Sequence, residues 1–420
     1  MYIPRHIEDV IDRTSKSKGV IILTGARQVG KSTMLMKRLP DNKYISLDIP
    51  SDYLLAKESP TAFFNKYNGK VIIDEIQRAP ELFHPIKADI DKEIFADLEE
   101  QKKTYAGKYI LTGSQSYRLM KNVTESLAGR AHIIEMMGLS KREHNRIDYK
   151  KPFMPTEEQL REKEKVLKVK YDYEEIIEKI HKGSFPEMYQ GEKEQSEWSD
   201  FFGDYIKSYI EKDVREIIHI QNEVAFYKFL RAVAALSGQQ LNYSTLADMV
   251  GKDVMTMKSW LSMLVASGLV YLLEPYFNNT TQRMIKTPKL YMLDTGLICY
   301  LGGWDTSKQM ANGAMWGAIF ESYVVGEIIK SYYNSGITIP RLYYYRDKEK
   351  REVDMIIEQA GAFYPIEIKA TTDPSKEMCT NFDVLSKIAD IKVSEGAVIC
   401  MTEKSLPLKT TVWAINVNQI

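Results

Sequence analysis

Two stretches of this chain carry residue types at spacings that could do chemistry. In GVIILTGARQVGKSTMLMKRL, the residues Gly25, Ala26, Arg27, Gln28, Val29, Gly30, Lys31 and Ser32 fit the pattern G-x-x-x-x-G-K-[ST], and Thr33 follows directly. Glycines let such a loop curl so that successive N–H groups face anionic phosphates at a helix N-terminus. Lys31 would then reach the β and γ phosphates of ATP, and the Ser32 hydroxyl would bind magnesium. The second stretch is EVDMIIEQAGAFYPIEIKA, Glu352 to Ala370. A hairpin turning at Ala360-Gly361 pairs Glu358 with Phe363 and Met355 with Ile366, and sets Asp354 opposite Glu367. Carboxylates facing each other across strands repel, so this register calls for a compensating positive charge, for which a divalent metal is the candidate. Lys369 falls on the same face by strand periodicity. The plainer alternative is a solvated ion pair between Glu352 and Lys369, which the same register also sets opposite each other.

The elements that must position these residues are legible nearby. An apolar strand, Val20 to Leu23, precedes the phosphate loop, and a helix beginning near Lys31 follows it. A second strand, in KVIIDEIQRAP, delivers Asp74 and Glu75 to its carboxyl end, where parallel α/β sheets bind ligands. There Asp74 would hold magnesium through water, and Glu75 would orient the water that attacks the γ phosphate. A third strand, KYILTGS, ends in Thr112 and Ser114, whose hydroxyls either sense the γ phosphate or cap the next helix.

Composition limits the rest. A chain of 420 residues with 44% hydrophobic and 27% charged residues supports two or three cored domains. Its formal net charge of zero excludes the bulk signature of a strongly basic nucleic-acid binder, leaving only local patches for such contact. Three cysteines without a CxxC pair suit a reducing compartment and provide no structural zinc site. Neither a membrane-spanning apolar run nor a signal-peptide core stands out, so a cytoplasmic enzyme is expected.

Taken together, LTGARQVGKST, VIIDEIQ, YILTGS and ESLAGRA resemble an AAA+ type P-loop ATPase, and more narrowly a prokaryotic subfamily with an uncharacterised C-terminal domain. The resemblance covers about the first 140 residues and implies an ATP-hydrolysing oligomer. It also implies that Arg130, just before the strand from Ala131 to Glu135, reaches a neighbouring subunit's nucleotide.

Residues 141–221 are expected to form a charged, solvated connector and a helical lid. Residues 222–301 are read as a winged helix, with Ser244 capping its second helix and Gly251 ending it. Its third helix starts at Asp253, buries Val254, Met257, Leu261, Leu264 and Val265, and exposes Thr256, Lys258, Ser259 and Ser262. Lys252, Arg283 and Lys286 would add phosphate contacts to DNA; a rigid joint between domains is the equal alternative.

Residues 302–420 supply a helix carrying Glu321, a strand RLYYYRD and the hairpin. Glu321, Asp354 and the Glu367-Ile368-Lys369 triplet resemble the PD-(D/E)xK nuclease core, although no proline precedes Asp354. The resemblance implies that Glu321, Asp354 and Glu367 hold Mg2+ or Mn2+ while Lys369 activates water. The expected architecture is therefore an α/β parallel ATPase sheet, a helical and winged-helix middle, and an α/β restriction-endonuclease-like end. The expected function couples ATP hydrolysis to DNA binding, remodelling or cleavage; the alternative is a nucleotide-switched scaffold with an inert C-terminal domain.

Overall fold

A computed structural model describes residues 2–100, 105–113, 126–166, 172–191, 193–209, 223–276, 287–387 and 392–420. Ser114, Arg283, Lys286 and residues 277–286 of the wing expected at 277–288 lie outside the described residues. The chain divides into two compact units. One comprises Met1–Leu139 with the short segments Ala266–Gly268 and Tyr333–Thr338; the other comprises Ser140–Val265, Leu269–Tyr332 and Ile339–Ile420.

In the first unit, five parallel strands are ordered β2-β3-β4-β1-β5. They are β1 (Val20–Thr24), β2 (Lys43–Ser46), β3 (Val71–Asp74), β4 (Tyr109–Thr112) and β5 (Ala131–Glu135). The near-continuous apolar character of β1, β3 and β4 follows from burial on both sheet faces. Helix α1 (Lys31–Arg38) begins where the phosphate loop ends, and α2 (Phe83–Glu100) supplies Phe83, Ile86 and Ile90 to the core.

In the second unit, helix α3 (Glu223–Ala235) is followed by β6 (Gln239–Gln240), α4 (Tyr243–Val250), α5 (Val254–Ala266), β7 (Val270–Leu273) and β8 (Lys289–Met292). The three strands form an antiparallel sheet ordered β6-β8-β7. Asn242, not Ser244, caps α4, its side chain accepting from the backbone N–H groups of Ser244 and Thr245, while Gly251 ends the helix in the left-handed region. On α5, Met257, Leu261 and Leu264 are buried as expected, but Val254 and Val265 are only half-buried. Trp260 and Met263 take their places in the core, because Phe226 and Phe229 of α3 pack edge-on against Trp260 at 5.2 and 5.3 Å between ring centroids.

Helix α6 (Trp316–Tyr333) leads into a mixed sheet ordered β14-β15-β13-β11-β10-β9, with β12 also paired to β11. Its strands are β9 (Leu342–Arg346), β10 (Glu352–Gln359), β11 (Ala362–Ile368), β12 (Lys392–Val393), β13 (Gly396–Cys400), β14 (Leu406–Lys409) and β15 (Val412–Asn416). The β10–β11 hairpin has the expected register, with Met355 opposite Ile366 and Glu358 opposite Phe363. Both turn residues, Ala360 at φ 50° and Gly361 at φ 74°, are left-handed, as a tight hairpin turn requires.

The charged stretch after residue 140 is not a solvated connector. Lys141, Arg142, Glu143 and Lys163 are buried. Lys141 Nζ donates to the Val417 carbonyl at 2.8 Å, Arg142 Nε to that of Ile420 at 3.0 Å, and Lys163 Nζ to that of Gln419 at 2.6 Å. These acceptors lie in the turn Val417–Gln419 and the residue after it, and the basic side chains fold inward to reach them. Charge density alone cannot distinguish such a belt from a solvated linker.

Asp294 joins two further segments of this unit. Its carboxylate caps the helix Thr295–Gly302 through the Leu297 N–H at 2.8 Å, and also accepts from the Ser184 N–H and hydroxyl, both at 2.7 Å. Asp294→Ala would leave buried donors without an acceptor and should cost about 3 kcal/mol. Asp294→Asn, which keeps one acceptor oxygen, should cost less than half of that. Urea midpoints of the two variants against the parent measure both values; equal, small losses would contradict the assignment.

Candidate functional site

The first site lies at the carboxyl end of the parallel sheet. Gly25 has φ 139°, and a Cβ placed on it would meet the Met136 carbonyl oxygen at 2.0 Å, so no other residue fits there. Gly30 caps α1 at φ 93°. Between them, Gln28 is left-handed at φ 60° despite carrying a side chain. The buried Lys31 ammonium donates to the carbonyls of Gly25 and Ala26 at 2.9 and 2.8 Å. A glycine loop at a helix N-terminus, with a lysine folded onto it, is the kind of backbone that suits a polyphosphate.

Asp74 stands at the end of β3. One of its oxygens accepts from Ser32 Oγ at 2.8 Å and from the Tyr44 hydroxyl; the other accepts from Thr112 Oγ1. The sequence reading had brought Ser32, Asp74 and Thr112 to this end of the sheet, but it missed Tyr44. An aromatic residue on an edge strand reads as packing, and it is the hydroxyl's hydrogen bond to Asp74 that brings Tyr44 to the site. Burial and the Asp74 carboxylate hold the Tyr44 phenol above its ordinary range. Glu75, next in the chain, is left-handed at φ 59°, a conformation that costs a side-chain-bearing residue about 1–2 kcal/mol. Its carboxylate accepts from Gln77 Nε2. Burial pushes the Glu75 carboxyl up, opposed first by the Arg27 guanidinium. A strained, partly desolvated carboxylate one residue beyond a hydroxyl-bound one is the arrangement a water-orienting group needs.

Arg5 also escaped the sequence reading. Buried beneath the loop, it donates from Nη1 to the Val29 carbonyl at 2.9 Å, and from Nη2 to Met137 at 2.7 Å and Gly138 at 3.2 Å. It fastens the phosphate loop to the segment following β5. Arg130, expected to act on a neighbouring subunit, donates from Nε to Asp91 Oδ1 on α2 at 2.7 Å and from Nη1 to the Ala128 carbonyl. Its side chain is 37% exposed.

The second site is in the other unit, where Glu321, Asp354, Glu367 and Lys369 do converge. The ladder stops at the Met355–Ile366 pair, and beyond it the Ile368 N–H donates to Asp354 Oδ2 at 2.8 Å. Lys369 Nζ lies 2.6 Å from Glu367 Oε1 and 3.5 Å from Asp354 Oδ2. The expected Glu352–Lys369 pair does not form. Glu352 turns instead to Arg346 at 3.1 Å and to Lys289 at 2.5 Å. Lys289, on β8, is the residue no sequence argument had placed here. Its side chain is 4% exposed, with Nζ 3.0 Å from Glu321 Oε1 and 3.8 Å from Asp354 Oδ1. The Tyr291 hydroxyl donates to the same Glu321 oxygen at 2.6 Å.

Burial alone would lower the Lys289 ammonium, but Glu321, Asp354 and Glu352 outweigh it and hold it above the lysine range. Burial and the Asp354 charge push Glu367 up, against the pull of Lys369. One buried oxygen, Glu367 Oε2, has no hydrogen-bond partner. Among the described residues, no three His, Cys, Asp or Glu side chains are arranged to hold a metal ion. The donor set does not fit a dication, because two ammonium groups already stand against the carboxylates that would bind it. The ligand role expected for Glu321, Asp354 and Glu367 is not supported by this geometry.

Comparison with known proteins finds three matched segments. Residues 17–145 match the family described as AAA domain, residues 173–308 a domain of unknown function (DUF8612), and residues 316–420 a domain of unknown function (DUF4143). Uncharacterized proteins of Mycobacterium tuberculosis and Mycobacterium bovis are each 25% identical over 407 residues, spanning 96% of this chain and 80% of theirs. Among solved structures, a Walker-type ATPase of Pyrococcus abyssi is 14% identical over 70% of this chain and 94% of that one, with a TM-score of 0.40. The ORC2 protein of Aeropyrum pernix is 14% identical over 73% and 96%, with a TM-score of 0.35. These structural likenesses are too distant to carry functional detail. The segment of residues 17–145 thus combines a match to the family described as AAA domain with a phosphate loop and the Asp74–Glu75 strand end.

Proposed function

We propose that the first unit binds and hydrolyses ATP. The observation that carries this reading is the convergence of Ser32, Thr112 and Tyr44 on Asp74, with Glu75 next in the chain. Ser32 and Asp74 suit a magnesium ion, since a hydroxyl and a carboxylate oxygen already lie 2.8 Å apart at the loop. When bound, that ion would neutralise charge on the β and γ phosphates. The loop N–H groups and Lys31 would hold the phosphates, releasing the lysine from the carbonyls of Gly25 and Ala26. Glu75 would hold the attacking water and take up its proton, and Thr112, with Ser114 after it, would report the state of the γ phosphate.

We further propose that the protein works as a homo-oligomer, Arg130 leaving Asp91 for a neighbour's γ phosphate, and that turnover acts on DNA. Support for DNA comes from the order α3-β6-α4-α5-β7-β8, which suits a winged helix, and from Lys252, Lys258, Ser259 and Ser262 being exposed. Thr256 is withdrawn from that face, its hydroxyl donating to Asp253 at 2.6 Å. The alternative, a nucleotide-switched scaffold with an inert C-terminal domain, is favoured over DNA cleavage by one observation: Lys289 among the carboxylates.

Lys31→Ala should abolish ATP binding, whereas Glu75→Gln should bind ATP and fail to turn it over; equilibrium binding and phosphate release read the two. Unchanged affinity in the lysine variant would refute the site. Arginine fingers contribute on the order of 10³ or more in rate. Arg130→Ala should therefore hydrolyse ATP at least a hundredfold more slowly, and mixing it with Glu75→Gln protein should restore part of the rate. A mixture that stays inactive while both variants assemble normally would place Arg130 outside the trans role.

A further inference from the structure

We infer that Lys289 is the resident cation of the C-terminal carboxylate cluster, taking the place of a divalent ion and leaving the cluster assembled and silent toward phosphodiesters. The geometry supplies what a metal would otherwise have to supply. Glu321 comes from α6, Glu352 and Asp354 from β10, and Lys289 Nζ contacts one oxygen of each, at 3.0, 2.5 and 3.8 Å. Lys369 Nζ bridges Asp354 and Glu367 in the same way. Lys289 is among the most buried charged residues described, and Glu321 accepts from Tyr291 as well. Buried carboxylates brought together without cations would repel strongly, so the two lysines account for a convergence that otherwise demands an ion.

A second set of contacts shows why the cation comes from β8. Tyr344 on β9 donates its hydroxyl to the Thr287 carbonyl at 2.5 Å and accepts from Gln240 Nε2 at 3.0 Å, while Pro275 bridges to Tyr344. The Tyr344 ring lies under the Lys289 ammonium, 5.7 Å from its centroid. One end of the small β6-β8-β7 sheet is thus fastened to the large sheet, and Lys289 is the charged member of that junction. A tethered ammonium differs from a metal in two ways that matter. It cannot dissociate, so the junction persists without any ion, and it has no open coordination position to polarise a phosphate.

The test uses the full chain in an Asp74→Asn background, so that the phosphate site does not take up the probe ion, with no nucleotide present. Manganese alone should leave the melting temperature of this parent unchanged. Lys289→Met should lower it by roughly 6 °C or more, since removing one partner of a buried ion pair strands the other. Manganese should raise the melting temperature of that variant by several degrees as the freed carboxylates take the ion, a response a merely structural lysine would not produce. Should Lys289→Met fail to fold, two substitutes decide. Lys289→Arg should fold near the parent, and Lys289→Met with Glu321→Gln, which removes one charge of each sign, should fold and melt above Lys289→Met. Plasmid nicking in magnesium or manganese should not exceed that of Glu367→Ala. Three results would overturn the inference: a manganese-dependent rise in the parent, a Lys289→Met protein as stable as the parent or indifferent to manganese, or nicking that Glu367→Ala abolishes.

Discussion

The Asp74 carboxylate is the joint on which the proposed nucleotide site depends. It sits on β3 and accepts from side chains on three other elements: Ser32 on α1, Tyr44 on β2 and Thr112 on β4. A carboxylate so deep at a sheet end is tolerable only if its lone pairs are met, and three hydroxyls meet them without neutralising its charge. The retained negative charge is what a magnesium ion would recognise, and the fixed hydroxyls set the geometry of the strand ends around it. Beneath the loop, Arg5 provides the complementary restraint through the Val29 carbonyl.

The two carboxylate clusters of this chain solve one physical problem in opposite ways. At Asp74 the partners are neutral donors, so the site stays anionic and open to a cation. Around Asp354 the partners are the ammonium groups of Lys289 and Lys369, so the site is already compensated. Equal-looking sets of acidic residues therefore differ in chemistry by the identity of what faces them.

Much of this could be read from the sequence because it is local. The phosphate loop is a run of eight residues whose glycines and lysine have fixed geometric roles, and the hairpin register follows from a two-residue turn, Ala360-Gly361. The nearness of Asp354 and Glu367 was legible from the hairpin register, whereas Glu321 joined them only through the resemblance to the nuclease core. Lys289 was not legible, because it lies on the far side of an expected domain boundary at residue 301, and no periodicity links β8 to the hairpin. The same applies to Arg5, whose partners are the carbonyls of Val29, Met137 and Gly138, and to Lys141 and Lys163, whose acceptors are carbonyls at 417–419. Backbone carbonyls leave no trace in a pattern of side chains. Tyr44 is a further case, because its hydroxyl meets Asp74 only once the sheet has assembled.

The central claim, that Asp74 organises a magnesium-dependent hydrolytic site, is tested most directly by single-turnover hydrolysis of ATP in Asp74→Asn across a magnesium titration. The account predicts that this variant still binds ATP without magnesium as the parent does, but loses the magnesium-dependent gain in rate by a hundredfold or more. A variant whose rate climbs with magnesium as steeply as the parent's would contradict it.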